Sequence, residues 1–150
     1  MKKFARIIGT GSYLPPKIVT NFDLEKTLDT SDDWVTSRTG IRERRIVTDE
    51  NTCDLALEAS LNALSMAELK PKDIDLIILS TTTPDKIFPA TATMLQDRLG
   101  AYCPAFDIQA VCAGFVFALN TAQQYIENGS ATNILVVGSE TMSKIVDWND

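Results

Sequence analysis

Apolar positions in this chain gather in short blocks separated by polar breaks that glycine and proline mark. Phe4 to Ile8 is an apolar run that stops at Gly9, which predicts a first strand. Two short helices are expected next. Asn21 caps one that runs to Leu28, and Ser31 caps one from Asp32 to about Arg38, each with acids in its first turn, where the helix dipole favours them. Thr39-Gly40 breaks the second. Thr52 is placed to cap a longer helix, Cys53 to about Leu69, with an apolar face of Leu55, Ala59, Leu61, Ala63, Leu64 and Met66.

Beyond Pro71 the pattern changes. Leu76-Ile77-Ile78-Leu79, within Asp75 to Thr82, and Ile134-Leu135-Val136-Val137, within Asn133 to Ser139, are continuous apolar runs. Continuity rather than alternation predicts strands covered on both faces. Between them lie a helix from about Ala90 to Leu99, with Pro89 in its first turn and Gly100 closing it, and a short strand from Ala105 to Gln109. A helix from Cys112 to Glu127 then ends at Asn128-Gly129. Phe115, Val116, Phe117, Ala118, Leu119, Ala122 and Ile126 make that helix apolar around most of its circumference, which predicts a central, buried position.

Strands alternating with helices give an α/β class with a largely parallel sheet and helices on both faces. No repeat or linker-like tract divides the chain, so residues 1–150 read as one domain. No element follows Trp148 to close the sheet, which predicts a sheet face left for something outside this chain.

Composition narrows the function classes. The balance of 45% hydrophobic and 23% charged residues is that of a soluble globular protein. No apolar run reaches the length of a membrane span. The segment after Met1-Lys2-Lys3 is interrupted by Gly9, Gly11, Pro15 and Pro16 and makes a poor secretory leader, so a cytoplasmic protein is expected. A net charge of −6 argues against a nucleic-acid partner. The basic cluster Arg38, Arg42, Arg44 and Arg45 reads as a solvated loop with ion pairs to Asp32, Asp33 and Glu43, or as a ligand surface. The three cysteines, Cys53, Cys103 and Cys112, form no CxxC pair, and the chain has no histidine. Neither a disulfide framework nor a metal site is expected, and the commonest general base is missing.

Three stretches carry candidate chemistry. Gly9-Thr10-Gly11-Ser12-Tyr13-Leu14 follows a strand, but Leu14 replaces the third glycine of a dinucleotide loop and Pro15-Pro16 block a helix there. A tight turn is the better reading. Gln109-Ala110-Val111-Cys112-Ala113-Gly114-Phe115 places a cysteine where a strand turns into a helix. Unpaired N–H groups and the helix dipole favour an anion at such a point, and a thiolate is one. The small neighbours let a carbonyl approach, with the Cys112 N–H as an oxyanion donor. A buried, inert cysteine capping a core helix is the competing reading; Cys53 and Cys103 have no comparable setting and read as structural. Trp34 and Arg38 lie four apart on a short helix and share a face, able either to hold an aromatic ring or simply to pack on each other at the surface.

Together these stretches resemble the β-ketoacyl-acyl-carrier-protein synthase III family of thiolase-like condensing enzymes. The resemblance runs through Ile8-Gly-Thr-Gly-Ser-Tyr-Leu-Pro15, Asp29-Thr-Ser-Asp32, Trp34, Arg38-Thr-Gly-Ile-Arg-Glu-Arg44, Phe88-Pro89, Cys103-Pro-Ala-Phe-Asp107, Cys112-Ala-Gly-Phe115 and Val136-Val-Gly-Ser139. It implies the N-terminal half of a thiolase fold. It also implies the initiating condensation of bacterial fatty acid synthesis, between acetyl-CoA and malonyl-acyl-carrier protein, through an acyl-cysteine. Coenzyme A thioesters enter as substrates, and no cofactor is expected. Cys112 matches the family's nucleophile; Trp34, Arg38 and Thr30 match contacts to coenzyme A. Phe88 matches a residue that limits the partner's acyl pocket in a homodimer. The histidine and asparagine that complete the family's triad come from a second half, and this chain contains neither position. The isolated chain is therefore expected to be inactive for condensation. Alternatives are a non-catalytic fold-half that forms dimers, a related thiolase-fold synthase with a different primer, and, least favoured, a redox role for Cys112.

Overall fold

The computed structural model describes residues 4–149. The chain forms two compact units, the first holding the chain up to Tyr13 together with Asn51–Glu140, the second holding Leu14–Glu50 and the chain from Thr141 on.

In the second unit, β1 (Lys17–Thr20) pairs antiparallel with β2 (Glu43–Ile46), Ile18 facing Arg45 across the ladder. The hydrophobic pattern does not predict this ribbon, because Lys17, Arg44 and Arg45 break up its apolar positions. Helix α1 is only Asn21–Leu24, and its cap is Thr20, not Asn21. Thr20 accepts from the Asp23 N–H while the Asp23 carboxylate accepts from the Thr20 N–H, a reciprocal box that Asn21 has no acid to complete. Asn21 is instead fully buried. Helix α2 (Asp32–Thr39) starts at the expected Ser31, whose hydroxyl accepts from the Trp34 N–H at 3.1 Å, and ends at Gly40 with φ 73°.

In the first unit, β3 (Leu76–Ser80) lies between β4 (Ala105–Ile108) and β5 (Ile134–Gly138), all parallel. Every residue of β3 is buried, as its unbroken apolar run predicts. Helices α3 (Thr52–Met66) and α4 (Thr91–Leu99) supply residues to one core with Ile77 and Leu79, and α5 (Gly114–Glu127) packs Ala118 and Ala122 with Leu76 and Ile78. Asn51 rather than Thr52 caps α3, since its N–H meets the Asp54 carboxylate at 2.6 Å. Helix α4 begins at Thr91, after a cis Phe88–Pro89 bond, so Pro89 precedes the helix. Its Ala90 cap has no side-chain acceptor; Asp107 on β4 takes that place, accepting from the Thr91 and Ala92 N–H groups at 2.8 and 2.7 Å.

Four expectations are corrected here. Residues 4–8 take no regular secondary structure and pair with no strand among the described residues, so they form no strand. Gly9 and Gly11 press this segment onto α3: a Cβ at Gly11 would lie 2.2 Å from the Ala59 carbonyl oxygen, and one at Gly9 2.6 Å from that of Ala63. The two glycines thus serve a close helix approach rather than a tight turn. Helix α5 is not buried all round; only Gly114, Ala118 and Ala122 are, while Val116 and Phe117 face outward. Finally, neither sheet face is bare. Among the described residues both outer edges of the sheet, those of β4 and β5, lack a strand partner, and the β5 edge flanks a cleft of about 750 Å³ between residues 5–11, α3 and α5.

One carboxylate ties the entry of β3 to that of β5. Asp75 accepts from the Asn133 and Thr132 N–H groups at 2.9 and 2.7 Å, and these bonds hold its carboxyl below the usual carboxylate range. A lowered folded pKa means stability that is present above the unfolded value, about 3.9, and lost as pH falls through the folded one. Asp75→Asn is therefore expected to destabilise the chain at neutral pH by no more than about 1 kcal/mol for so exposed a group, and to lower Tm accordingly. Thermal melts of both proteins should converge as pH falls below the ordinary carboxylate range; a gap that persists there would show that the carboxylate's charge is not the cause.

Candidate active site

The parallel register brings Ser80, Ile108 and Gly138 to the same end of the sheet, the carboxyl end, where open α/β sheets bind their ligands. From β4 the chain passes into a 3-10 turn, Val111–Ala113, and only then into α5. Cys112 sits in that turn and is exposed. The sequence pattern predicts it as the first helical residue and as part of a buried helix; both expectations are corrected. The reason is local. Val111 has φ 48°, a left-handed conformation that a β-branched residue adopts only under constraint, and the regular helix starts after it. Such a residue costs about 1–3 kcal/mol and persists where its surroundings hold it.

The start of α5, just beyond the turn, is closely packed. A Cβ at Gly114 would fall 2.2 Å from the Ser80 Oγ, so α5 begins directly against β3. A Cβ at Gly138 would meet the Phe115 ring at 3.2 Å. The neighbouring loop is fixed by Glu140, which the pattern of the sequence does not single out. Its carboxylate accepts from the Thr82 N–H at 2.8 Å and the Thr83 hydroxyl at 2.6 Å. The polar run Thr81-Thr82-Thr83 directly after an apolar strand is the signal that a partner was needed.

The other cysteines differ from Cys112 in exposure. Cys53 is buried and Cys103 half-buried, and burial pushes both thiols above their ordinary value; at Cys53 the Arg98 guanidinium opposes that effect. Cys112 is the exposed thiol. Phe88, also in the first unit, lies almost bare beside Ile87.

Thr30, Trp34 and Arg38 fall together in the second unit. The Arg38 guanidinium carbon stacks 4.5 Å from the centre of the Trp34 ring, which is about half exposed. The i, i+4 spacing does put them on one face, packed on each other. Just before the helix, the Thr30 hydroxyl oxygen is buried and makes no hydrogen bond. Among the described residues no His/Cys/Asp/Glu group could hold a metal ion, and no helix is long and apolar enough to cross a membrane.

Comparison with known proteins bears directly on this arrangement. Residues 106–150, which contain Cys112, match the family model for 3-oxoacyl-[acyl-carrier-protein (ACP)] synthase III. A β-ketoacyl-[acyl-carrier-protein] synthase III from Vesicomyosocius okutanii is 65% identical over 150 residues, covering 100% of this chain and 48% of that protein. The chain matches the β-ketoacyl-acyl-carrier-protein synthase III family over its whole length. A synthase III from Xylella fastidiosa is 54% identical over 98% of this chain and 46% of its own length. The crystal structure of the Aquifex aeolicus synthase III superposes with a TM-score of 0.93 at 51% identity, again over 100% of this chain and 48% of that one. The chain thus spans about half the length of the synthase III relatives it matches, and its α/β arrangement is that of a thiolase-fold half.

Proposed function

We propose that Cys112 is the acyl-accepting nucleophile of an initiating condensing enzyme, one that joins acetyl-CoA to malonyl-acyl-carrier protein. The observation that carries this reading is the exposed Cys112 in a strained turn at the carboxyl ends of β3, β4 and β5, in a chain that matches the synthase III family. In the first half-reaction the Cys112 sulfur attacks the thioester carbonyl of acetyl-CoA, the bond to coenzyme A breaks, and the acetyl group stays on the enzyme. The Cys112 N–H donates to the developing oxyanion. In the second, malonyl-acyl-carrier protein loses carbon dioxide, and the carbanion attacks the acetyl carbon. Acetoacetyl-acyl-carrier protein leaves and the Cys112 thiolate is restored.

Trp34 and Arg38 hold the nucleotide end of coenzyme A, and the unpaired Thr30 hydroxyl supports a contact beside them. Phe88, nearly bare, shapes the acyl pocket of a partner in a homodimer. No cofactor takes part beyond the thioester substrates, and the reaction belongs in the cytoplasm.

Alone, this chain is proposed to stop after the first half-reaction. It has no histidine, and each missing oxyanion donor typically costs ~10²–10³ in rate. A second reading, a non-catalytic half that serves in assembly, is favoured by the outward apolar residues Val116 and Phe117 of α5. Both are tested by incubating the chain with acetyl-CoA and then malonyl-acyl-carrier protein, with peptide mass spectrometry and product analysis. The expected result is a slow acetyl adduct on Cys112 and no acetoacetyl product. No adduct from any short acyl-CoA would rule out the nucleophile assignment and leave the assembly reading. Product without a second half would rule out the inactivity of the chain.

A further inference from the structure

We propose that Asn21 is the positioning residue of the α2 subsite: its buried carboxamide sets where the helix holds Trp34 and Arg38. The inference rests on the reading of α2 as the binder of coenzyme A.

A short helix is ordinarily placed by an apolar stripe buried against a core. Helix α2 has no buried residue at all. Only Asp32, Val35 and Thr36 are even half-buried, and the polar contacts that fix its position converge on one side chain. Asn21 is 0% exposed. Its Nδ2 donates to the Asp32 carboxylate at 2.8 Å and to the Ile41 carbonyl at 2.8 Å, with the Thr36 hydroxyl at 3.3 Å. Its Oδ1 accepts from the Arg44 guanidinium at 2.8 Å, and its backbone N–H donates to the Arg42 carbonyl at 3.1 Å. The first turn of α2, its middle, the chain just past its end and strand β2 are therefore all tied to one amide. The orientation of that amide is forced, because a carboxylate and a carbonyl can only accept and a guanidinium can only donate. A network of this kind, buried and fully satisfied, specifies one arrangement and tolerates no mismatched partner.

Aspartate is the telling replacement. It keeps the shape of Asn21 but offers only acceptors to Asp32 and Ile41, while still accepting from Arg44. Asp32→Asn in the same chain returns a donor to the first turn of α2, though not to Ile41.

The test is calorimetric titration of coenzyme A into wild type, Asn21→Asp, Asn21→Asp/Asp32→Asn, Thr36→Val and Trp34→Ala, with the rate of Cys112 alkylation by iodoacetamide as a separate readout. Asn21→Asp should bind about tenfold more weakly, on the scale of one or two lost hydrogen bonds, while the alkylation rate stays within about twofold. The double variant should recover part of the loss. A folded Asn21→Asp with wild-type affinity overturns the proposal, as does a folded double variant no better than the single one. If Asn21→Asp does not fold, Thr36→Val decides: it removes one acceptor of the same amide, affinity should fall about threefold, and unchanged affinity overturns the proposal. Wild type and Trp34→Ala binding alike would remove the coenzyme A reading itself, and the positioning role with it. Loss in Trp34→Ala without loss in Asn21→Asp removes only the positioning role.

Discussion

Cys112→Ala is expected to abolish acetyl transfer to the chain, a loss on the order of 10⁴-fold or more, as for other nucleophile deletions. Cys112→Ser should be nearly as inactive, and it is the more informative variant. Serine keeps the size of the side chain and leaves the turn Val111–Ala113 and its packing undisturbed. What changes is the chemistry: a hydroxyl needs a base to become a nucleophile, and this chain has no histidine to serve as one. Deletion of Cys53 or Cys103 should leave acetyl transfer in place, because burial keeps both thiols neutral and shielded. Intact-mass measurement after acetyl-CoA treatment, with localisation of the adduct by peptide mapping, reads all of these variants. An adduct of undiminished yield on the Cys112→Ala chain would remove Cys112 from the reaction.

The turn that carries Cys112 also shows what a hydrophobic pattern does and does not reveal. The strand, the small residues and the cysteine were legible, and so was the shared face of Trp34 and Arg38. The backbone of Val111 was not, because nothing in a β-branched residue signals φ 48°. Asn21 misleads for a related reason. Asparagine is among the strongest caps, but the neighbouring Thr20 finds its acid at Asp23, which frees Asn21 for burial. Pairing is the other gap. Residues 4–8 read as a strand by composition, yet a strand needs a neighbour to bond with, and a pattern along one segment does not report the neighbour. The apolar circumference of α5 is the same case from the opposite side. Its composition fits burial all round, while within this chain only the stripe Gly114, Ala118 and Ala122 is covered.

That unequal covering of the two sheet faces leads to the second large effect. Ile77→Ala is expected to destabilise the chain by about 3–5 kcal/mol, within the range for deleting buried methylenes from a core that cannot collapse. Ile77 is 0% exposed and packs with residues of α3 and α4, including Leu64 and Leu95, on the side where helices close over the sheet. Ile78→Ala removes the same atoms from the next position of the same strand, and Ile78 is also 0% exposed. Its side chain meets Ala118 and Ala122 of α5, a helix whose outer face is free to move inward. The cavity there can be partly filled by a shift of α5, so the cost should be nearer 2 kcal/mol. The two substitutions alter identical chemistry at identical burial, so propensity and transfer terms cancel in the comparison. Urea unfolding of both variants measures the difference directly, provided their m-values agree. Equal losses would mean that α5 is held as firmly as α3 and α4 despite its bare face.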